Sequence, residues 1–364
     1  MNNIIEKIYL RTKKLPLAYD GSKKKIFKWI APQIVKNLKS ADVVLDGFSG
    51  TGIISAFLSL NDYQVYASDS LYSSYILTST LNENPGIILS EDEINQLSSH
   101  RCIDGIVFEN DEMIENVDDY VYKTHPGLLT KNEALWINHL NKKIESLDLF
   151  KKQIAQCAIR GISTIIPFST SNGTKKFQNR IKQKDKYKQR CLGFYYNSSY
   201  EIEYIKWFQK YAQAFNESVS FFSENRKYDV KSYHDDIFNI LNSNIQFDAA
   251  YLDPPYGRKN SIGYNKMYLF QENLLNAPNI NHENFENPNN HKNNFYKLLD
   301  ACSDIKTLIF SYDNNSWESI ENICLILKQF GRIIDIISID HCHGKIPMDS
   351  HNKQIIENII IAKK

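Results

Sequence analysis

The stretch "ADVVLDGFSGTGIISAFLSLNDYQVYASD", residues 41–69, decides the fold. An apolar run ends at Asp46, three glycines follow within six residues, and a second apolar stretch begins at Ile53. The segment then alternates through "YQVYASD" and ends on Asp69. This reads as strand, glycine turn, helix and strand, the opening unit of a doubly wound, mostly parallel α/β sheet. Gly47, Gly50 and Gly52 give the spacing G-x-x-G-x-G rather than the dinucleotide G-x-G-x-x-G. Glycine at a strand-to-helix turn lets backbone approach a ligand, and the helix N-terminus behind it favours anionic groups. An acid closing the next strand, here Asp69, is placed to take ribose hydroxyls. The turn therefore points to an adenosine-containing cofactor without choosing one, and plain packing is its competing reading.

Working outward, residues 24–38 place Ile26, Ile30, Ile34 and Leu38 on one helical face, with Pro32 expected to kink or break it. Residues 131–160 have helical periodicity. Strand-like runs return at 247–253, 305–313, 331–340 and 354–364, so the sheet domain is expected to be split into 1–98 and 220–364. The region 99–219 reads as an insertion, and the Asn-rich stretch 261–294 reads as a loop.

Bulk numbers exclude several classes. The chain has 364 residues, 42% hydrophobic and 23% charged, with a formal charge of +1, and no apolar run approaches a membrane span. Six cysteines without a CxxC pair, and no signal peptide, point to reduced thiols in a cytoplasm. His341, Cys342, His343 and His351 lack any usual zinc spacing, so no metal is expected. Arg332 and Asp335 read as surface residues.

A second motif, "LDPPYG" at 252–257, follows an apolar run. Two consecutive prolines fix two φ angles and remove two donors, so Asp253, Pro254, Pro255 and Tyr256 form a rigid extended turn. Together with "YDGSKKK" (19–25), "LDGFSGTG" (45–52) and "ASDSLYSSY" (67–75), in this order, the chain resembles the D12 class of DNA adenine-N6 methyltransferases. The resemblance extends to "LIFSYDN" (308–314) and "ENIIIAKK" (357–364) and is weak between about 100 and 230.

That resemblance implies a class I methyltransferase-like fold, S-adenosyl-L-methionine as cofactor, and an extruded adenine in double-stranded DNA as acceptor. It also implies a restriction-modification setting with a separately encoded endonuclease. By motif, Asp46, Phe48, Gly50 and Gly52 surround the methionine portion, Asp69 meets the ribose, and Tyr19 and Lys23 close over the methionine end. Asp236 stands near the adenine ring, with Asp235 as competitor and helix capping as the alternative for both. Asp253 and the Pro254 carbonyl accept from the amine, Pro255 stiffens the turn, and Tyr256 offers a stacking face. RNA adenine, cytosine N4 and a glutamine side chain remain as other acceptors, and a non-catalytic DNA-binding subunit as another class. An intact glycine turn and Asp-Pro-Pro-Tyr argue against the last.

The 207 residues from Asp46 to Asp253 exceed what a bare catalytic core needs, so the insertion is expected to read the DNA target. Within it, residues 175–190 carry Lys175, Lys176, Arg180, Lys182, Lys184, Lys186, Lys188 and Arg190 against Asp185 alone. A local +7 on a chain of +1 leaves −6 elsewhere, and Phe177 and Tyr187 sit among the bases. Such a run suits the phosphate backbone. Replacing Lys182, Lys184 and Lys186 by Gln should weaken DNA binding and reduce the slope of log K against log salt by roughly three. An unchanged slope in a binding titration at several salt concentrations would turn the run away from DNA.

Overall fold

The computed structural model describes residues 2–17, 23–118, 120–124, 129, 131–164, 200–255, 264–280, 285, 290–314, 316, 318–340 and 356–364. Tyr19, Tyr256, the basic run 175–190 and the His/Cys group 341–351 lie outside them.

The strands are β1 (Val43–Asp46), β2 (Gln64–Asp69), β3 (Arg101–Ile103), β4 (Ile106–Glu109), β5 (Glu112–Ile114), β6 (Val230–His234), β7 (Ala249–Leu252), β8 (Thr307–Asp313), β9 (Ile333–Asp340) and β10 (Ile356–Lys363). Seven form one sheet in the order β6-β2-β1-β7-β8-β10-β9. The first five are mutually parallel, and β10 runs antiparallel to β8 and β9. The doubly wound, mostly parallel architecture expected from residues 41–69 is therefore present.

Both faces of this sheet are covered, which is why its strands read as continuous apolar runs. Val44, Val65, Ala249, Tyr251, Ile309, Ile359 and Ile361 enter one buried cluster; Leu45, Tyr66, Ala250, Leu252, Leu308, Phe310 and Ile360 enter the other. Successive residues of one strand divide between the two clusters, as the two-residue period of a strand requires.

The helix Phe27–Lys36 runs through Pro32 without a break. Burial of Phe27, Ile30, Ala31 and Ile34 outweighs the one backbone bond that proline removes. Residues 131–160 form two helices, Lys131–Ile144 and Leu149–Ser163, separated where Asp148 caps the second by accepting from the amides of Phe150 and Lys151. These helices and the long helix Tyr200–Asn225 contribute Leu140, Ile154, Ile159, Phe208 and Phe215 to the same cluster as the first sheet face. The Asn-rich stretch contains the helix Tyr264–Leu274, and its end overlaps the helix His291–Ala301, so it is not simply a loop. Tyr268, Phe270, Gln271 and Leu274 are buried, and tertiary packing overrides the weak helix propensity of asparagine.

Arg332 corrects its surface reading. It is 4% exposed and donates from Nη2 to the carbonyls of Cys302 (2.9 Å) and Ile305 (3.0 Å), and from Nη1 to that of Ala362 (3.5 Å). A guanidinium can serve several carbonyls at once, which is how a charged side chain enters an interior. Asp335 is exposed, as read. Arg332→Ala should lower the unfolding free energy by about 2–4 kcal/mol, since three buried carbonyls lose a charged donor. Urea unfolding of the two proteins measures this, and equal midpoints would refute it.

Candidate active site

Parallel pairing of β6, β2, β1 and β7 brings their carboxyl ends to one rim. Asp46 ends β1, Asp69 ends β2, Asp235 and Asp236 follow β6, and Asp253 follows β7. From β1 the chain moves to β2 on one side, while β7 lies on the other. The crevice at such a reversal is where open α/β sheets bind ligands.

The glycine turn is tied to its neighbours by backbone. The Gly47 amide donates to Tyr251 O (3.0 Å) and the Ser49 amide to Ser68 O (3.0 Å). Gly50, at φ +53°, donates its amide to Asp69 Oδ2 at 2.8 Å. Gly52, at φ +70°, precedes the helix Ile53–Leu60, and a Cβ there would stand 2.8 Å from Thr78 Cα. Only glycine suits both its conformation and its surroundings. Asn82 Nδ2 donates to the Gly52 carbonyl at 3.2 Å.

Asp46 and Asp69 are buried acids with little local compensation. Ser55 Oγ donates to Asp46 Oδ2 at 2.6 Å, while Oδ1 is buried without a hydrogen-bond partner in the protein. Burial pushes the Asp46 carboxyl up to about 7; the Ser55 bond opposes this, and the nearby Asp253 and Asp69 charges add to it. Asp69 also rises to about 7 through burial, against amide bonds from Leu71 (2.9 Å) and Gly50. Glu272 adds to that rise from the helix Tyr264–Leu274, where its carboxylate accepts from the amides of Tyr72 (2.9 Å) and Ser73 (3.0 Å).

Asp253 joins an ion-pair chain. Lys23 Nζ lies 3.0 Å from Asp253 Oδ1 and 3.0 Å from Glu357 Oε1, and Ser311 Oγ donates to that same Oε1 at 2.5 Å. Lys23 is 4% exposed, Glu357 fully buried, and Asp253 17% exposed. Pro254 is buried and Pro255 half-buried behind it. The fold therefore brings Lys23, expected at the methionine end, into direct contact with the acid expected to meet the acceptor.

On the β6 side, Asp236 is buried and caps the helix Ile237–Leu241 by accepting from the Phe238 amide at 2.8 Å. Asp235 accepts from the Asp236 amide and from Asn239 Nδ2, both at 2.7 Å. Phe48 meets the Phe285 ring edge-on at 5.4 Å, and Phe285 stacks with Phe238 at 6.0 Å. An aromatic cluster thus stands beside Phe48. Reading the sequence overlooked Glu357, Ser311, Glu272, Asn82 and Phe285. Only Glu357 left a signal, as a lone acid inside the apolar run "IIENIIIA". Among the described residues, no group of three or more His, Cys, Asp or Glu is arranged to hold a metal. No described helix is long and apolar enough to cross a membrane.

A crevice lined by a glycine turn, two raised acids and an Asp-Pro-Pro turn can hold a polar, partly cationic ligand beside a hydrogen-bond acceptor. The model of the D12 class N6 adenine-specific DNA methyltransferases matches residues 19–323, spanning every one of these elements except Glu357. The chain belongs to this family. It is a site-specific, adenine-specific DNA methyltransferase with the class I methyltransferase-like fold. It is 26% identical over 352 residues to the type II methyltransferase M2.HphI of Haemophilus parahaemolyticus, covering 93% of this chain and 97% of that protein. It is 25% identical to the modification methylase StsI of Streptococcus sanguinis, over 96% of this chain and 52% of that one. A 72-residue stretch is 43% identical to part of the type II methyltransferase M.FokI of Planomicrobium okeanokoites, covering 20% of this chain and 11% of that protein.

The raised carboxyl of Asp46 fixes the sign of a stability effect. A folded value of about 7, against 3.8 ordinarily, means that its contribution is intact below about pH 4 and is lost as pH rises toward 7. Asp46→Asn has no proton to lose. Its stability relative to the parent should therefore climb across that window, by about 1.4 kcal/mol for each pH unit crossed. Unfolding both proteins at pH 5 and pH 8 checks this, and a constant difference would show Asp46 to titrate normally.

Proposed function

We propose that this methyltransferase moves a methyl group from S-adenosyl-L-methionine to the N6 amine of an adenine extruded from duplex DNA. The observation that carries the reading is Asp253, which follows β7 at the carboxyl rim of the sheet with its Oδ1 3.0 Å from buried Lys23. The buried acids of the crevice fit the cofactor. Asp46 has an orphaned buried oxygen suited to an ammonium, and Asp69 offers lone pairs beyond the two amide bonds it accepts. Phe48, Gly50 and Gly52 form the wall at the cofactor's methionine portion, and Asp236, which caps the helix that carries Phe238 of the stacked Phe238–Phe285 pair, is our candidate for its adenine ring. When bound, the cofactor supplies a sulfonium methyl group open to nucleophilic attack.

The chain's own task is to make a poor nucleophile competent. The lone pair of the adenine amine is delocalised into the ring, and acceptors on its two hydrogens draw the nitrogen toward tetrahedral geometry. Asp253 supplies one acceptor and the Pro254 carbonyl the other. Asp253 takes up the proton late, after the N–C bond has begun to form. The double proline holds both groups in position before the base arrives. Extruding the base costs about a few kcal/mol, and stacking on Tyr256 returns roughly 1–3 kcal/mol. The region 99–219, with its basic run at 175–190, holds the DNA backbone and reads the target. A companion endonuclease encoded separately, and work in the cytoplasm, complete the proposal.

Incubation with labelled S-adenosylmethionine, unmethylated genomic DNA and, in parallel, RNA is expected to place label in N6-methyladenine from DNA alone. Asp253→Ala should abolish transfer while cofactor and DNA binding persist. Label in RNA or N4-methylcytosine would reassign the acceptor, and an active Asp253→Ala protein would remove Asp253 from the chemistry.

A further inference from the structure

Lys23 is gripped from two sides. Asp253 approaches from the turn after β7 and Glu357 from the antiparallel strand β10, each at 3.0 Å, and Ser311 on β8 orients the Glu357 oxygen with a 2.5 Å hydrogen bond. A single carboxylate would suffice to pair one buried ammonium. The second adds a further desolvated charge, which is costly unless its arrangement is paired and hydrogen-bonded. We infer that Glu357 is a positioning residue for methyl transfer: acting through Lys23, it offsets the lysine's charge so that Lys23 can orient Asp253 without cancelling its negative charge. The inference rests on the reaction proposed above.

Charge balance is the reason. In the transfer, the N–C bond forms as the donor's S–C bond breaks, and the amine's proton passes to Asp253 and then to solvent. Asp253, Lys23 and Glu357 together carry −1, so uptake of that proton leaves them neutral. Without Glu357, a neutral Asp253–Lys23 pair would have to become a buried cation at that moment. Among the described residues, Tyr251 on β7, whose hydroxyl is held well above its ordinary value by burial and then by Asp253, and Asp46 at the end of β1 are titratable groups beside this cluster. Neither supplies a positive charge. For Lys23 itself, burial acts to lower the ammonium's value, and Asp253 and Glu357 together more than reverse this, leaving it raised.

Glu357→Gln keeps the shape and the hydrogen bonds and removes only the charge. The variant is expected to lose roughly 10- to 100-fold in kcat. Its KM for DNA and its Kd for S-adenosylmethionine should stay within about threefold, because Glu357 touches neither. Its pH–rate profile should move to lower pH on both limbs: Lys23 loses a stabilising charge, and Asp253 then faces an unbalanced cation. The lysine titration, followed by NMR of 13C-labelled lysine with the Lys23 signal assigned through Lys23→Arg, should move down as well. Ser311→Ala, which retains every charge, should show a smaller loss in the same direction. An unchanged kcat would overturn the inference. So would a loss with unmoved pH profile and unmoved Lys23 titration, or a loss in Ser311→Ala equal to that of Glu357→Gln. If the parent protein methylates some other acceptor, the reaction proposed above fails, whereas the Lys23 titration still decides the charge role of Glu357. Should Glu357→Gln not fold, the Lys23 titration of the parent protein is read instead, and a value at or below that of an exposed lysine would overturn the inference.

Discussion

Carboxylates crowded at the ends of neighbouring parallel strands repel one another, and burial makes that repulsion worse. In the methyltransferase Asp46, Asp69 and Asp253 bear this cost together, because parallel pairing gathers the ends of β1, β2 and β7 at one rim. Lys23 is the counterweight. Its ammonium arrives from the N-terminal segment, far in sequence from both elements it joins, and ties Asp253 to β10. The rest of the arrangement serves that convergence. The glycine turn brings backbone close, Glu272 holds the start of the helix that follows Asp69, and the double proline keeps Asp253 from swinging away.

The antiparallel pair β8–β10 matters more to the site than its distance along the chain suggests. Glu357 stands opposite Asp313 in that ladder, and Ser311 stands opposite Ile359, two positions along. Serine and glutamate therefore lie on the same face of adjacent strands, within reach of one hydrogen bond. A slip of one residue in this register would turn Glu357 to the other face and take it away from Lys23. The packing that specifies the register, Ile359 and Ile361 on one face and Ile360 on the other, thus also sets the charge beside Asp253.

Local chemistry made part of this legible from the residues alone. Residues 41–69 carry their own turn and helix-start signals, and the runs after residue 247 are apolar because both their faces are buried. Asp46, Asp69 and Asp253 are found by reading strand ends. What escaped notice depends on partners remote in sequence. Strand β6 holds only five residues, with Lys231 and His234 among them, and among the described residues it pairs with β2 alone. The three-stranded sheet β3–β4–β5 is signalled mainly by its turns, where Asp104, Gly105, Asn110 and Asp111 all have positive φ. Arg332 is indistinguishable from a surface residue until Cys302, Ile305 and Ala362 present their carbonyls. Glu357 is unremarkable until Lys23 reaches it. Asp236 shows the opposite difficulty: its capping bond is visible, and that bond says nothing for or against a ligand.

The helices Leu149–Ser163 and Tyr200–Asn225 pack along each other and against the helix Tyr72–Asn82, so both ends of the segment 165–199 are anchored to the catalytic body. The body's folding is therefore insulated from what that segment contains. Chain closure grows only logarithmically with length, and doubling such a connection costs about 0.6 kcal/mol. A lineage can rewrite, lengthen or exchange this stretch while the cofactor crevice and the acid chain stay as they are. Alterations between residues 164 and 200 then carry little penalty for the stability of the sheet body, whose strands and covering helices pair and pack without them.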